Sequence, residues 1–276
     1  MTPDETTEEI EVNCVLEAIY SRYGYDFREY APESIHRRVL TIMAKVGVAH
    51  LGELMHRLLT EPRLFAAALD DLTVQVSDMF RDPTFYRSFR ERVVPTLRTY
   101  PNLKIWHAGC SSGEEVYASA IVLLEEGLYD RAQIYATDLN NGALDRARDG
   151  VYPGSSIAAF AANYEQSGGL AHFEDYCTRA YGKVAIKDSL RRKIVFFQHD
   201  LVSDYAPGEM HVVFCRNVLI YFAPQLRERV LTLFSQSLRR GGFLCLGASE
   251  GLTVSAANKF EGFVERERIY RCMGQP

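Results

Sequence analysis

The sequence predicts an α/β protein whose parallel sheet is preceded by a small all-helical domain and interrupted by an inserted β-subdomain. Three observations predict this. Strand and helix patterns alternate from Leu103 onward, apolar residues recur at helical spacing before that, and the alternation stops between residues 150 and 193. The alternation is typical of a Rossmann-like sheet. The predicted boundaries are 1–75 for the helical domain, 76–100 for a linker with a connecting helix, and 101–276 for the α/β domain, with the insertion at about 150–193.

The N-terminal domain reads as several short helices without strands. The apolar repeats that predict them are Val15 with Ile19, Ile35 with Val39 and Ile42, and Leu54 with Leu58. The helix from about Ser34 to Val46 carries Arg37, Arg38 and Lys45 off its apolar stripe. These cations form either a solvated face or a docking surface for an acidic partner helix.

In the α/β domain, short apolar runs predict the strands and longer periodic runs the helices. The predicted strands are Leu103–Trp106, Gln133–Thr137, Ile194–Gln198, His211–Cys215 and Phe243–Gly247, with one or two more between Phe260 and Cys272. The predicted helices are Glu114–Glu125, Gly142–Ala147 and Gln225–Leu238. Within the insertion, Tyr176–Tyr181 and Lys183–Ile186 read as two strands around a turn.

Composition narrows the classes of function. The 276 residues carry a net charge of −5, which argues against nucleic acid as the main partner. No apolar run approaches a membrane span, and the acidic first five residues lack the pattern of a secretory signal. We therefore expect a cytoplasmic protein without membrane insertion. The six cysteines form no C-x-x-C pair, so no metal site is predicted.

The most informative segment runs from Ile105 to Glu115, where an apolar run enters the small-residue loop 109–113 and two acids open a helix. Strand, glycine loop and helix in this order are typical of a nucleotide-binding crevice. The next strand ends at Asp138, and a carboxylate at that point can hold both hydroxyls of a ribose. The glycine loop and Asp138 together predict a ligand with an adenosine group.

Glu114 and Glu115 stand where a dinucleotide would place its pyrophosphate. Acids at a helix N-terminus also stabilise the helix by roughly 0.3–1 kcal/mol each, so simple capping is one interpretation. An acid that faces the ligand repels phosphate and attracts a cation, which favours S-adenosylmethionine. A nicotinamide dinucleotide stays as the alternative.

Further polar residues follow other predicted strands. Asp200 comes after one strand, Arg216 and Asn217 come after another, and Arg81 lies in the segment before the first strand. Tyr221 follows a few residues after Asn217. Alone, these residues have ordinary explanations: Asp200 can cap a turn, Arg81 can form a surface ion pair, and Tyr221 can be a core aromatic. An Arg-Asn pair directly after a buried strand is costly unless it is satisfied, so we expect it to face the crevice.

The motifs taken together resemble the chemotaxis receptor methyltransferase family, CheR, over nearly the whole chain. They are Phe80-Arg81-Asp82-Pro83, the loop Gly109–Glu115, Ala136-Thr137-Asp138-Leu139, the segment Phe214–Phe222, and Gly247-Ala248-Ser249-Glu250. The resemblance implies a helical N-terminal domain, an S-adenosylmethionine-binding domain and an inserted β-subdomain. It also implies methyl transfer to glutamate side chains of chemoreceptors, which yields γ-methyl esters and S-adenosylhomocysteine.

The resemblance assigns roles residue by residue. It places Glu114 at the methionine amino group, Asp138 at the ribose, Asp200 and Leu201 beside the adenine, Asn217 in the donor pocket, and Arg81 and Tyr221 near the sulfonium. Gly109 and Arg216 complete the expected donor site, with Gln75 and Ser77, which stand where the family pattern has Asn and Thr. We expect Arg81 to orient the incoming carboxylate and Tyr221 to shape the methyl site.

One departure from the family concerns docking. Members that bind a receptor's C-terminal pentapeptide carry a glycine-rich loop in the β-subdomain, whereas the turn Thr178–Lys183 is shorter here and has one glycine. We therefore expect no need for that tether, with Arg37, Arg38 and Lys45 binding the receptor's acidic helices. The alternatives are a methyltransferase for another acceptor and a module that senses S-adenosylmethionine without turnover.

Overall fold

The computed structural model describes residues 6–274, so residues 1–5, on which the signal-peptide argument depends, lie outside the described part. The chain forms two compact units. Of the described residues, the helical unit holds 6–74 and 220–227, and the sheet unit holds 75–219 and 228–274. The sheet unit has the predicted α/β architecture, and the fold class is confirmed.

The helical unit contains four helices in its N-terminal part. They are α1 (Thr7–Tyr23), α2 (Pro32–Val46), α3 (Leu51–Thr60) and α4 (Pro62–Leu72). Helix α1 begins with a capping box between Thr6 and Glu9, and a left-handed glycine, Gly24, follows its last residue. Prolines open α2 and α4, where their missing N–H costs nothing.

A segment from much later in the chain completes the helical unit. Phe222 forms an isolated antiparallel bridge with Tyr30, and the two rings meet edge to face at 5.1 Å. The Ala31 N–H donates to the Tyr221 carbonyl at 2.8 Å, and the Ala223 N–H donates to the Glu29 carbonyl at 3.0 Å. The sequence placed this segment in the α/β domain, because its pairing partners lie almost two hundred residues earlier.

The basic face of α2 differs from the prediction at one position. Arg37 and Lys45 are exposed, but Arg38 is buried. Its guanidinium donates to the Leu72 carbonyl at 2.6 Å and lies 4.4 Å from the centre of the Tyr221 ring. Because these acceptors satisfy the buried charge, Arg38 is part of the interior and not of an exposed docking face.

The sheet unit is built on a seven-stranded sheet. Its strands are β1 (Leu103–Ala108), β2 (Ala132–Asp138), β6 (Ile194–Gln198), β7 (Met210–Cys215), β8 (Leu238–Leu246), β9 (Phe260–Val264) and β10 (Ile269–Cys272). The order is β6-β2-β1-β7-β8-β10-β9, and only the pairs made by β10 are antiparallel. The carboxyl ends of the five parallel strands therefore share one edge, where ligands of such sheets bind.

Further helices follow α4 in the chain. They are α5 (Pro83–Ser88), α6 (Val94–Leu97), α7 (Glu114–Glu125), α8 (Asn141–Asp149), α9 (Ile157–Gln166) and α10 (Pro224–Ser237). The segment predicted as a linker and connecting helix contains α5, a π-helical turn at Phe89–Val93, and α6. Phe85 and Phe89 belong to the main hydrophobic core, so this segment is an integral part of the sheet unit.

The insertion forms a second sheet of three strands, β3 (Val151–Pro153), β4 (Cys177–Ala180) and β5 (Lys183–Ile186), in the order β3-β5-β4. Strand β3 is only three residues long and was not predicted. Tyr181 and Gly182 alone join β4 to β5, and both have positive φ values, of 50° and 70°. That is the two-residue turn of a tight hairpin.

Between residues 6 and 274, no helix is long and apolar enough to cross a membrane. The same residues contain no group of three histidine, cysteine, aspartate or glutamate side chains placed to hold a metal ion.

Candidate functional site

The glycine loop follows β1 and is tied to the end of β2. The N–H groups of Gly109 and Cys110 both donate to the Thr137 carbonyl at 2.8 Å. Gly109 has a φ of 81°, and a Cβ built there would lie 2.5 Å from Cγ2 of Val218. Only glycine fits a position with both constraints, so the loop passes closer to the turn after β7 than any other residue would allow.

Asp138 accepts hydrogen bonds from the loop it faces. The Ser111 N–H donates to Oδ2 at 2.7 Å, and the Asn140 N–H donates to Oδ1 at 2.9 Å. The Ser111 hydroxyl donates to Oε1 of Gln75 at 2.7 Å, which joins Gln75 to the same cluster. Burial raises the pKa of Asp138 even though these N–H donors favour the carboxylate.

Glu114, the first residue of α7, is a buried acid with 7% of its surface exposed. The Ser112 hydroxyl lies 2.8 and 3.0 Å from its two oxygens, and Ser77 also hydrogen-bonds to it. Burial raises the pKa of Glu114. Within residues 6–274 no cationic side chain pairs with it. A buried carboxylate without a cation favours a positively charged ligand.

The inserted subdomain supports the loop through Tyr152, a contact that the sequence did not reveal. The Tyr152 hydroxyl of β3 donates to the Ser112 carbonyl at 2.9 Å. Tyr152 itself is buried and Ser112 is half-buried, so the hydrogen bond is partly shielded from water. A lone tyrosine in an unpredicted three-residue strand carries no signal for such a role.

Asp200 follows β6 and lies next to the Asp138 strand. The N–H of His199 donates to the Asp138 carbonyl at 3.1 Å. The Asp200 carboxylate accepts from the Val202 N–H at 2.8 Å and from the Ser203 hydroxyl at 3.2 Å, so it caps its own turn. Leu201 is half-buried beside it. The predicted adenine-side residues thus adjoin the predicted ribose carboxylate.

The guanidinium of Arg216 is buried and contacts other groups of the protein. It pairs with Asp82 at 2.7 Å and with Glu115 at 3.2 Å, donates to the Arg81 carbonyl at 3.4 Å, and lies 4.1 Å from the Phe85 ring centre. The sequence predicted a donor-binding residue here. The structure shows that Arg216 connects the segment before β1 to the start of α7, and its contact with the donor stays a prediction.

Glu115 also contacts His107, whose Nδ1 lies 3.1 Å from Oε1. Burial alone would raise the pKa of Glu115, but His107 and Arg216 together outweigh burial and lower it. The two adjacent acids of α7 therefore differ: Glu115 pairs with the Arg216 cation and contacts His107, whereas Glu114 pairs with no cation among the described residues.

Arg81 is half-buried, and its guanidinium forms no hydrogen bond or ion pair with any of residues 6–274. Its neighbours Phe80 and Asp82 both have left-handed φ values, of 54° and 57°. A bulky aromatic in that region is strained, and such strain concentrates at functional sites. The strained turn presents an unpaired cation.

The remaining predicted residues are placed as follows. Asn217 begins the turn after β7 with a φ of 62°. Tyr221 is half-buried in the helical unit under the Arg38 guanidinium, and Arg37 and Lys45 lie on α2 of that unit. Lys45 pairs with Asp71 at 2.5 Å.

A mostly parallel sheet, a glycine loop after its first strand, a carboxylate at the end of the next strand and a buried acid without a described cationic partner fit a site for S-adenosylmethionine. The comparisons with known families agree. Residues 75–269 match the SAM-binding domain of CheR methyltransferases, and residues 10–73 match the all-alpha domain of the same family. The chain belongs to the CheR methyltransferase family, so the resemblance seen in the sequence is confirmed, as is S-adenosylmethionine as the bound cofactor.

Curated relatives match over most of their length. A putative methyltransferase, Cher3, of Pseudomonas putida is 45% identical over 98% of this chain and 99% of its own. A chemotaxis protein methyltransferase of Vibrio anguillarum is 33% identical over 86% of each chain. Chemotaxis protein methyltransferase 1 of Vibrio cholerae is 32% identical, also over 86% of each.

Proposed function

We propose that this chain transfers a methyl group from S-adenosylmethionine to glutamate side chains of methyl-accepting chemoreceptors, giving γ-methyl esters and S-adenosylhomocysteine. The partner is the receptor's cytoplasmic helical region, and the reaction takes place in the cytoplasm. The observation that carries the proposal is Glu114, a buried carboxylate directly after the glycine loop that no described cation neutralises. The donor carries a positive amino group and no phosphate, which suits that acid.

The sheet unit supplies the groups that hold the donor. Glu114 binds its amino group, and Asp138, already oriented by the Ser111 N–H, binds the ribose hydroxyls. Asp200 and Leu201 flank the adenine, while Gln75, Ser77, Gly109 and Asn217 shape the walls. When bound, the donor supplies a methyl carbon activated by its sulfonium.

The acceptor needs little activation. A glutamate carboxylate is ionised at neutral pH, so no general base is required. Its oxygen forms the new bond to the methyl carbon while the electron pair of the breaking carbon–sulfur bond goes to sulfur. Arg81, whose guanidinium has no partner among residues 6–274, orients this carboxylate. Catalysis is then mainly proximity and alignment.

The proposal is tested with the full chain, a methyl-labelled donor and the cytoplasmic fragment of a chemoreceptor. We expect label on the receptor that mild alkali releases as methanol, which is the behaviour of an ester and not of a methylated amine. Label resistant to alkali would indicate another acceptor group. Donor binding without transfer to receptors or to any other protein would indicate a sensing module.

Arg81→Ala tests the acceptor step. We expect transfer to fall at least tenfold because the carboxylate loses its orienting cation, while affinity for S-adenosylhomocysteine changes by less than about threefold. Arg87→Ala, which removes an exposed arginine of α5, is the matched control. Near-normal turnover by the Arg81 variant would exclude the role.

Donor affinity should depend on pH through Glu114. Its raised pKa means that Glu114 takes up a proton at a higher pH than an ordinary glutamate does, and a bound ammonium group favours the ionised form. Affinity for S-adenosylhomocysteine should therefore fall as pH decreases from neutral towards the ordinary pKa of a glutamate, about 4.3. Calorimetry in buffers of different ionisation enthalpy should show proton release on binding at the acidic end.

Glu114→Gln should bind more weakly at neutral pH and lose most of this slope. Asp138 also has a raised pKa, so a residual slope that Asp138→Asn removes is expected. Methylthioadenosine, which lacks the amino group, is the ligand control and should show no Glu114-dependent slope. An unchanged slope in Glu114→Gln would contradict the assignment.

We also propose that docking does not use a C-terminal pentapeptide. The hairpin between β4 and β5 closes with two residues and offers no glycine-rich loop. Exposed Arg37 and Lys45 of α2 would instead bind acidic receptor helices. Calorimetry with such a peptide should show no binding, and removing the pentapeptide from a receptor should leave its methylation rate unchanged; measurable peptide affinity would overturn this.

A further inference from the structure

Glu250 is a buried acid after β8, with 6% of its surface exposed. Its Oε2 accepts from the N–H of Gly247 at 2.6 Å and from the N–H of Asn217 at 2.9 Å. Its Oε1 accepts from the N–H of Val218 at 2.8 Å. One carboxylate thus ties together the turns that follow two neighbouring parallel strands, β7 and β8.

These bonds hold a turn that is unfavourable by itself. Asn217 has a φ of 62°, in the left-handed region that most side chains avoid. Its own N–H and the next one both point to the carboxylate. Hydrogen bonds to an ionised acceptor are about twice as strong as neutral ones, so Glu250 can maintain this conformation.

The Asn217–Val218 turn also packs directly against the glycine loop. Val218 is so close to Gly109 that a Cβ at Gly109 would meet Val218 Cγ2 at 2.5 Å. A Cβ at Gly247 would lie 2.8 Å from the Asn217 nitrogen, so the turn after β8 is packed as tightly against the same residue. The contacts therefore run without a gap from Glu250 through Val218 to Gly109.

We infer that Glu250 is a positioning residue for the methyl-donor site: through the Asn217–Val218 turn it fixes Asn217 and the wall against which the glycine loop packs. The inference rests on the proposed donor site. Glu250 acts through backbone groups and need not touch the donor, so its loss should weaken donor binding more than it slows the transfer of a bound donor.

Glu250→Gln is the sharpest variant, because it keeps the shape and replaces one accepting oxygen by an NH2 group. Whichever way the amide turns, an NH2 donor faces at least one backbone N–H. We expect affinity for S-adenosylhomocysteine to fall at least tenfold and the donor KM to rise more than kcat falls. Glu261→Gln, which changes an exposed carboxylate of β9, should leave both unchanged.

A wild-type measurement keeps the inference testable if Glu250→Gln does not fold. Adding S-adenosylhomocysteine should slow hydrogen exchange in the peptide covering residues 247–250, which contains no predicted donor contact. Unchanged exchange there, or a folded Glu250→Gln with wild-type affinity, would overturn the positioning role. If the wild-type chain itself binds no donor, the proposed function fails, and that result is distinguishable from failure of the Glu250 role alone.

Discussion

Gly109→Ala is expected to remove measurable donor binding and to destabilise the sheet unit by about 2–5 kcal/mol. The new Cβ would have a left-handed φ of 81° and a contact of 2.5 Å with Val218 Cγ2. The backbone strain costs about 1–2 kcal/mol, and overpacking adds about 1–3 kcal/mol. The loop also carries Ser111 and leads directly into Glu114 of α7, so any displacement of the loop moves groups that are proposed to bind the donor.

Urea unfolding followed by tryptophan fluorescence measures the loss of stability. The chain has one tryptophan, Trp106, which is fully buried in β1. Gly168→Ala is the matched control: its φ is 79°, but a Cβ there meets nothing within 4 Å. It should show the strain alone and bind the donor normally. The double variant Gly109→Ala with Val218→Ala should regain part of the stability, and equal losses in Gly109→Ala and Gly168→Ala would contradict the packing argument.

Arg216→Met is expected to lower the free energy of unfolding by about 3–5 kcal/mol. The side chain is buried, and its removal leaves Asp82 and Glu115 without their shared cation. Because the pKa of Glu115 is lowered in the folded protein, the contribution of Glu115 to the free energy of unfolding depends on pH. A carboxylate whose folded pKa lies below its unfolded value stabilises the fold above the unfolded pKa, and that stability is lost as pH falls through the folded pKa. In Arg216→Met this contribution should shrink, so acid unfolding should begin at higher pH.

Arg179→Met serves as the control, because Arg179 pairs with Glu174 on the surface at 2.9 Å, and exposed pairs contribute less than about 1 kcal/mol. Adding Glu115→Gln to Arg216→Met should restore part of the loss by removing the unpaired charge. If Arg216→Met were as stable as the Arg179 control, Arg216 would not be the brace described here, and its predicted role at the donor would need to be reconsidered.

Local patterns were enough to predict much of the sheet unit and of its loop. The positions of Glu114 and Asp138 follow from strand ends and helix starts, which depend on neighbouring residues only. Strand β8 was less well predicted: it begins at Leu238, five residues before the predicted start, since Arg239, Arg240 and two glycines obscure its apolar pattern. The position where β8 begins depends on its pairing with β7 and not on its residue composition.

The roles that the sequence missed depend on partners far away in the chain. The sequence indicates that Arg216 needs hydrogen-bond or ion-pair partners, but it does not identify Asp82, which lies 134 residues earlier. The helical spacing predicts an exposed Arg38, because it cannot show that the Leu72 carbonyl, 34 residues later, accepts a hydrogen bond from the guanidinium. Glu250 appeared only as part of a motif, and its hydrogen bonds to Asn217 and Val218 span more than thirty residues.

The most direct test of the donor site is calorimetric titration of the full chain with S-adenosylmethionine and S-adenosylhomocysteine, with NAD as the control ligand. We expect micromolar binding of the first two and none of NAD, because Glu114 favours a cationic amino group and disfavours a pyrophosphate. Failure of both adenosyl ligands to bind would contradict the account, and Glu114 would then be only a helix-capping residue of the fold.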